Sequence, residues 1–249
     1  MLRRILIAIL VIVIIAVGGF VIWASSTNPL MPEAVAALEG NDAVAVDDDG
    51  YLSFSPVDDQ PTAGLILYPG GRVQAGAYAP LALSVAENGY YAAIVYAPLN
   101  LAFFNVNAAQ AVIDAHPEIE TWVVGGHSLG GVAASLFAES NEAVDGLVMM
   151  ASYPANDNLT SRTDLSVVSI SGTEDGLASE DSIQQSASSL PAETDFVIIE
   201  GGNHAQFGYY GEQDGDNPAT ISRADQQAQT VDAILQLFSQ LAGTTPGDS

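Results

Sequence analysis

The chain contains no cysteine and no lysine. The first absence excludes several kinds of covalent bond and active site, and the second leaves arginine as the only strongly basic residue. Without cysteine there are no disulfides to stabilise the protein in an oxidising compartment, no thiolate nucleophile and no cysteine metal site. The three histidines are unsuitably spaced for a catalytic zinc site. We therefore expect no metal ion and no cofactor.

Basic residues of any kind are scarce, with five arginines set against 30 acidic residues and a formal net charge of -25. A surface of this charge repels nucleic acid and anionic lipid headgroups, so we expect no nucleic-acid partner. Mutual repulsion of the carboxylates destabilises the folded state unless counter-ions screen it. The composition predicts a protein adapted to high salt; a bacterial surface protein that is merely acidic is the alternative.

One long hydrophobic run is present, because residues 5–24 carry no charge. A helix of that length spans roughly 30 Å, the thickness of the hydrocarbon core of a bilayer. Arg3 and Arg4 would stay on the cytoplasmic side, and Trp23 suits the opposite interface. We predict that residues 1–24 form a single-pass membrane anchor with the rest of the chain outside the cytoplasm. A cleaved signal peptide is the alternative, although such segments have shorter apolar regions.

The remaining chain is organised as one domain of a size that buries a large core. Residues 25–41 are interpreted as a tether, because an Asn-Pro pair and a Met-Pro pair interrupt regular structure in this segment. A short helix is predicted around 32–38. Two apolar runs flank the turn sequence at 47–50 and predict a β-hairpin. The domain is predicted to cover 42–242, followed by a tail at 243–249.

A G-x-S-x-G pentapeptide centred on Ser128 is the most informative motif. An apolar run rich in β-branched residues, at 121–124, precedes the pentapeptide, and a helical pattern of small residues follows it. In that setting the serine sits on a strained bend between strand and helix, with its hydroxyl exposed above the sheet. The alternative is a glycine-rich turn in which the serine only caps the helix.

A serine nucleophile needs a base, and His204 is the best placed of the three histidines. It follows the apolar run 196–199, so it lies where ligands bind at the carboxyl ends of strands. His116 ends a helical segment on the opposite edge of the sheet. His127 adjoins Ser128 on the turn, and we expect it to pack or to line the pocket.

An acid is required to orient the base, and in this order of elements it follows the preceding strand. That strand is predicted at 165–171, and Asp175 comes after it, directly before a glycine. Glu174 is the fallback, and Asp157 in an earlier loop is a further candidate.

Two backbone N–H groups should hold the oxyanion. Leu129 supplies one, and Gly71 or Arg72 supplies the other from the loop after the predicted strand 65–68. For the side chain of Arg72 two roles stay open, binding of an anionic part of the substrate or a structural ion pair. We expect the pocket walls to include these residues: Tyr78, His127, Gln206 and Phe207.

The chain resembles the α/β-hydrolase superfamily, and most of all its small lidless branch related to dienelactone hydrolases. Four segments carry the resemblance: Tyr68-Pro69-Gly70-Gly71, Gly126-His127-Ser128-Leu129-Gly130-Gly131, Gly172-Thr173-Glu174-Asp175-Gly176 and Gly202-Asn203-His204-Ala205. It implies an α/β fold with a mostly parallel central sheet and helices on both faces, and esterase-type acyl transfer through Ser128, Asp175 and His204. The chain departs from the family in its proline at position 69, where many members have histidine, and in using serine where dienelactone hydrolases use cysteine.

These features together predict a membrane-anchored, extracytoplasmic serine hydrolase that acts on a small-molecule carboxylic ester. Two alternatives remain. The same triad would serve an amide, thioester or lipid substrate, and a hydrolase scaffold can also act as a non-catalytic binding module.

Overall fold

The computed structural model describes residues 2–244, and its centre is one eight-stranded sheet with the order β1-β2-β4-β3-β5-β6-β7-β8. β2 runs antiparallel to both of its neighbours, and all other pairs are parallel. The strands are β1 Val44–Asp48, β2 Tyr51–Pro56, β3 Ala63–Tyr68, β4 Tyr91–Val95, β5 Thr121–His127, β6 Gly146–Met150, β7 Ser166–Gly172 and β8 Asp195–Ile199. The predicted hairpin is β1 and β2.

Helices cover both faces of the sheet, as the predicted α/β fold requires. The α-helices of the described residues are α1 Leu2–Ser25, α2 Pro32–Ala37, α3 Ala79–Glu87, α4 Ala108–Ala115, α5 Leu129–Ser140, α6 Glu180–Ser186 and α7 Arg223–Thr244. Because successive strand residues point to opposite faces, Leu65 and Leu67 join the core under α3 and α7, whereas Ile66 and Tyr68 join the core under α4 and α5. The carboxyl ends of the parallel strands meet at one edge of the sheet, which is where such folds bind ligands.

The segment between α1 and the sheet, predicted as a tether, is hydrogen-bonded to the rest of the chain. The side chain of Asn28 donates to the carbonyl oxygen of Glu212 at 3.0 Å, and the backbone amide of Met31 donates to the carbonyl oxygen of Tyr209 at 2.9 Å. α2 lies where the short helix was predicted and buries Ala34 completely. Of the predicted tail, residues 245–249 lie outside the described part of the chain.

α1 is long and apolar enough to cross a membrane, and its apolar stretch is not covered by the rest of the protein. These properties fit a membrane anchor and a signal sequence alike. Its last turn meets the folded part of the chain, where the guanidinium of Arg72 lies 4.8 Å from the ring of Trp23.

The acidic surface predicts a marked dependence of stability on salt. Within residues 2–244, Arg162 with Asp164 at 2.8 Å is the one arginine–carboxylate pair, so few carboxylates have a local counter-charge. Raising KCl from 0.1 to about 2 M should screen their repulsion. We expect the melting temperature of the full chain in nonionic detergent to rise by about 5 °C or more, a gain of about 1–2 kcal/mol for a chain of this size.

Sucrose at matched osmolality is the control for general solute exclusion. Equal melting temperatures in dilute and molar KCl would reject the idea of salt adaptation.

Candidate active site

Ser128 lies on a strained bend between β5 and α5, with φ 52° and ψ -122°. A backbone of this kind costs about 1–3 kcal/mol and persists only where its surroundings fix it. The amide of Ser128 donates to the carbonyl oxygen of Met150 at 2.9 Å, and the hydroxyl of Ser152 donates to the carbonyl oxygen of Ser128 at 2.7 Å. A Cβ on Gly130 would lie 2.1 Å from the carbonyl oxygen of Tyr68, so only glycine fits there. The sharp turn predicted from the pentapeptide is therefore present.

His204 and Asp175 form a buried pair on the loops that follow β8 and β7. Nδ1 of His204 lies 2.8 Å from Oδ2 of Asp175, and the other carboxylate oxygen accepts the amides of Leu177 at 2.8 Å and Ala178 at 2.6 Å. A carboxylate can only accept hydrogen bonds, so the imidazole proton is on Nδ1. Nε2 of His204 therefore carries a lone pair that can take a proton.

Ser128 and His204 line the same cavity of about 180 Å³. Nε2 of His204 is buried and has no hydrogen-bond partner among the described residues. No hydrogen bond joins it to the hydroxyl of Ser128, as is common for such pairs in the absence of substrate. The structure thus brings the three residues predicted as a triad to one site, with Asp175 in contact with His204, and with His204 and Ser128 on the walls of the same cavity.

The two amides predicted as oxyanion donors belong to residues that touch each other, although Leu129 lines the cavity of Ser128 and His204 and Gly71 lines a different one. Leu129 begins α5, whose N-terminus carries a partial positive charge, and Gly71 follows β3. A Cβ on Gly71 would lie 3.0 Å from Cδ2 of Leu129, so the two loops are in contact. Neither amide has an acceptor among the described residues. The amide of Arg72, which we predicted as an alternative donor, is engaged by the carbonyl oxygen of Asn100 at 2.7 Å and is not free for this role.

The side chain of Arg72 does not form its predicted ion pair. It has no carboxylate within 4 Å in the described part of the chain, so the expected ion pair is absent. Its guanidinium donates instead to the carbonyl oxygen of Ser26 at 2.9 Å and lies over Trp23. Arg72 thus connects the loop after β3 to the end of α1.

The four residues predicted as pocket walls do not line the cavity shared by Ser128 and His204. Tyr78, His127 and Phe207 are buried behind it, with the Tyr78 hydroxyl 2.8 Å from Nδ1 of His127 and the rings of Phe207 and His127 stacked at 5.7 Å. Gln206 lines a different cavity. Gln206 and Phe207 belong to the helical turn that follows His204, and neither faces this cavity. The cavity is formed mainly by the loops after β6 and β7 and by α5: Leu129, Val132, Ala151, Ser152, Tyr153, Leu177, Ala178 and Gln213.

Two polar residues that support the base were not identified from the sequence. The carboxylate of Asp216 accepts the amides of Gly176 at 3.0 Å and Ala205 at 2.8 Å, so it joins the loop of the acid to the loop of the base. The buried amide side chain of Gln226 pairs with both backbone groups of Asn203, at 2.9 and 2.8 Å. Both act across many residues of sequence, and no local pattern marks them.

The other two candidate acids and His116 have different surroundings. Glu174 is half-buried and has no hydrogen bond to the imidazole in the described part of the chain, while exposed Asp157 accepts a hydrogen bond from the hydroxyl of Ser189. His116 ends α4, as predicted, and contacts Glu118 at 2.9 Å. None of these residues lines the cavity.

His127 should make the folded state sensitive to acid. Burial, together with the neighbouring imidazole of His204 at a centroid distance of 4.5 Å, lowers the pKa of His127 well below its usual value of 6.5. The unfolded chain takes up a proton at about pH 6.5 and the folded chain does not, so stability is lost as pH falls below 6.5. In the parent protein, His127 should lower the free energy of unfolding by at most about 1.4 kcal/mol for each pH unit between pH 7.5 and 5.0. In His127→Gln this contribution is removed, so the free energy of unfolding should fall less steeply with pH.

Urea unfolding at a series of pH values measures this effect. The parent protein, measured over the same pH range, is the reference for the slope. An unchanged slope in His127→Gln would show that His127 is not the acid-sensitive group.

Comparisons with known proteins agree with this architecture. Residues 64–228 match the model of the alpha/beta hydrolase family. The esterase domain of a Rhodothermus marinus protein is similar in structure, with a TM-score of 0.58, 14% identity, and coverage of 80% of this chain and 97% of that one. A dienelactone hydrolase-like promiscuous phosphotriesterase from metagenomic libraries has a TM-score of 0.59, 15% identity, and coverage of 80% and 97%.

The chain matches no curated protein by sequence. The likeness to the solved structures is one of fold, and the family match covers most of β3 together with Ser128, Asp175 and His204. On this basis the chain is an alpha/beta hydrolase.

Proposed function

We propose that the protein is a serine hydrolase that cleaves carboxylic esters through an acyl-enzyme, with Ser128 as nucleophile, His204 as base and Asp175 as its orienting acid. The contact of 2.8 Å between His204 Nδ1 and Asp175 Oδ2 carries the proposal. It fixes the tautomer that leaves Nε2 free, and that nitrogen is buried at the cavity that Ser128 lines.

In the proposed reaction the Ser128 hydroxyl attacks the acyl carbon while His204 Nε2 accepts its proton. The carbonyl oxygen becomes an oxyanion and is held by the amides of Gly71 and Leu129. Collapse of this intermediate expels the alcohol, which takes the proton from His204. Water then attacks the acyl-enzyme with His204 as base, and Ser128 is released as the acid product forms.

The shape of the cavity favours a small acyl group. Its volume of about 180 Å³ is below the range of about 300–1,000 Å³ that is usual for sites of drug-sized ligands. Val132, Leu177 and Ala178 give it apolar walls beside the serine. A short or slender acyl chain fits this space better than a branched or polycyclic one.

The proposed location is the outer face of a cell membrane. α1 would act as an uncleaved single-pass anchor with Arg3 and Arg4 in the cytoplasm, since an excess of basic residues marks the cytoplasmic flank. The domain and its 30 acidic residues would then lie outside.

A fluorophosphonate probe tests the proposal without knowledge of the natural substrate. We expect the folded full-length protein to be labelled in 0.1 or 2 M KCl, with the adduct on Ser128 and not on Ser152, the other serine of the cavity. Butyrate esters should compete with the probe, whereas the matching butyramides should not. A folded protein that is not labelled at either salt concentration would favour a non-catalytic binding module.

A further inference from the structure

We propose that the 96–105 loop rests on the lipid bilayer beside α1, and that the site takes its ester from the surface of that bilayer. The second half of this inference depends on the proposed function, and the first half does not. The surface that the loop contacts is a bilayer of neutral lipid. Three features support this: the contact of the loop with α1, its lack of charge, and its connection to the site.

Exposed aromatic side chains of the loop lie at the level of the membrane-spanning helix. Phe103 and Phe104 are 51% and 56% exposed, in a chain where most large apolar side chains outside α1 are buried. The ring of Phe104 lies 6.5 Å from the ring of Phe20, which belongs to the apolar stretch of α1. When α1 is inserted as far as Trp23, Phe104 therefore reaches the interface, a depth that suits aromatic side chains.

The loop is also free of charge, which is unusual for the surface of this chain. Residues 88–113 contain no aspartate, glutamate, lysine or arginine, although the whole chain carries 30 acidic residues. A charged side chain at the bilayer surface would have to be desolvated, whereas aromatic and amide side chains enter the interface at low cost. The loop is thus fitted to neutral lipid, and the acidic remainder of the domain is repelled by anionic lipid.

Arg72 connects the loop to the catalytic machinery. Its amide donates to the carbonyl oxygen of Asn100 in the loop at 2.7 Å, and its guanidinium donates to the carbonyl oxygen of Ser26 at the end of α1 at 2.9 Å. Arg72 also has φ 59°, a strained backbone that these contacts hold in place. The proposed oxyanion donor Gly71 directly precedes it.

A second cavity completes the path from the membrane to the serine. It measures about 240 Å³ and is lined by Ser26 at the end of α1, by Gly71 and by Gln213. Gln213 also lines the cavity of Ser128 and His204, so the two cavities share a wall residue. In the proposed arrangement an ester from the outer leaflet enters at the end of α1 and reaches Ser128 past Gln213.

Depth-dependent quenching tests the contact with the bilayer. Because the chain has no cysteine, a single introduced thiol can carry a nitrobenzoxadiazole fluorophore in the full chain, reconstituted in phosphatidylcholine vesicles with a nitroxide lipid. Phe104→Cys is compared with Phe196→Cys, an aromatic position of similar exposure (44%) on β8 at the far edge of the sheet. Val13→Cys in α1 reports insertion of the anchor.

We expect the quenching of the Phe104→Cys probe by a shallow nitroxide to be at least about twofold that of the Phe196→Cys probe, and the Val13→Cys probe to be quenched by a deep nitroxide. Equal quenching at positions 104 and 196 with an inserted anchor would overturn the proposed contact. If the probe at position 13 is not quenched either, the anchor is absent and the proposal fails with it.

Hydrolysis of two esters tests the source of the substrate. Phe103→Ser/Phe104→Ser should lower the rate on a butyrate ester of a long-chain alcohol embedded in the vesicles by about tenfold, and should leave a soluble butyrate ester unaffected. Phe196→Ser is the matched control and should leave both rates unchanged. Equal losses on both esters would reject uptake from the membrane. If the parent protein cleaves neither ester, the proposed function fails, and the quenching result still decides whether the loop rests on the bilayer.

Discussion

Ser128→Ala is expected to abolish fluorophosphonate labelling and to lower kcat for ester hydrolysis by about 10⁴–10⁶-fold, the range found when the nucleophile of a serine hydrolase triad is removed. The variant retains the oxyanion amides and the buried His204–Asp175 pair, so any residual rate reports these groups alone. Alanine occupies no more space than serine, and the hydroxyl of Ser128 makes no hydrogen bond in the described structure. We therefore expect the melting temperature to change little.

Ser152→Ala is the matched control for this prediction. Ser152 lines the same cavity and is 3% exposed, and its hydroxyl donates to the carbonyl oxygen of Ser128. Removing it takes one hydrogen bond from the strained turn, worth about 1 kcal/mol, and should lower kcat by less than about tenfold. Persistent labelling of Ser128→Ala, or equal losses in the two variants, would mean that Ser128 is not the nucleophile.

Features that depend on neighbouring residues in the sequence were predicted well. The bend at Ser128 follows from glycines packed across a strand and a helix that are adjacent in the chain, and the structure has it at the expected place. The hairpin of β1 and β2 and the short helix α2 are local in the same sense. Asp175 and His204, which the sequence predicts to be partners, are in contact because parallel strands place the loops that follow them at one edge of the sheet.

Features that depend on distant parts of the chain were missed or misassigned. Asp216 joins Gly176 to Ala205, and the partner of the Arg72 amide is Asn100, in a loop that carries no recognisable motif. The walls of the cavity come from residues that follow β6 and β7, whereas the residues next to His204 in the sequence turn into the core. Proximity in sequence was therefore a poor guide to the lining of the cavity.

The role of the acid can be separated from that of its neighbours. Asp175→Asn is expected to lower kcat by about 10⁴-fold, because an amide can donate to Nδ1 of His204 and so stabilise the wrong tautomer of the imidazole. The change also removes a charge that would stabilise the imidazolium formed during acyl transfer. Probe labelling should slow in parallel, since Nε2 would then carry the proton and could not accept one from Ser128.

The two alternative acids serve as matched controls for this substitution. Glu174→Gln and Asp157→Asn make the same change of charge. Glu174 has no hydrogen bond to His204 in the described residues and Asp157 accepts one from Ser189, so each variant should keep kcat within about twofold of the parent. A loss of kcat in Glu174→Gln as large as that in Asp175→Asn would contradict the assignment of Asp175 alone as the orienting acid and would favour Glu174 for that role. Full activity of Asp175→Asn would mean that the buried contact with Nδ1 only holds the loops after β7 and β8 together, and that His204 finds its tautomer without a carboxylate.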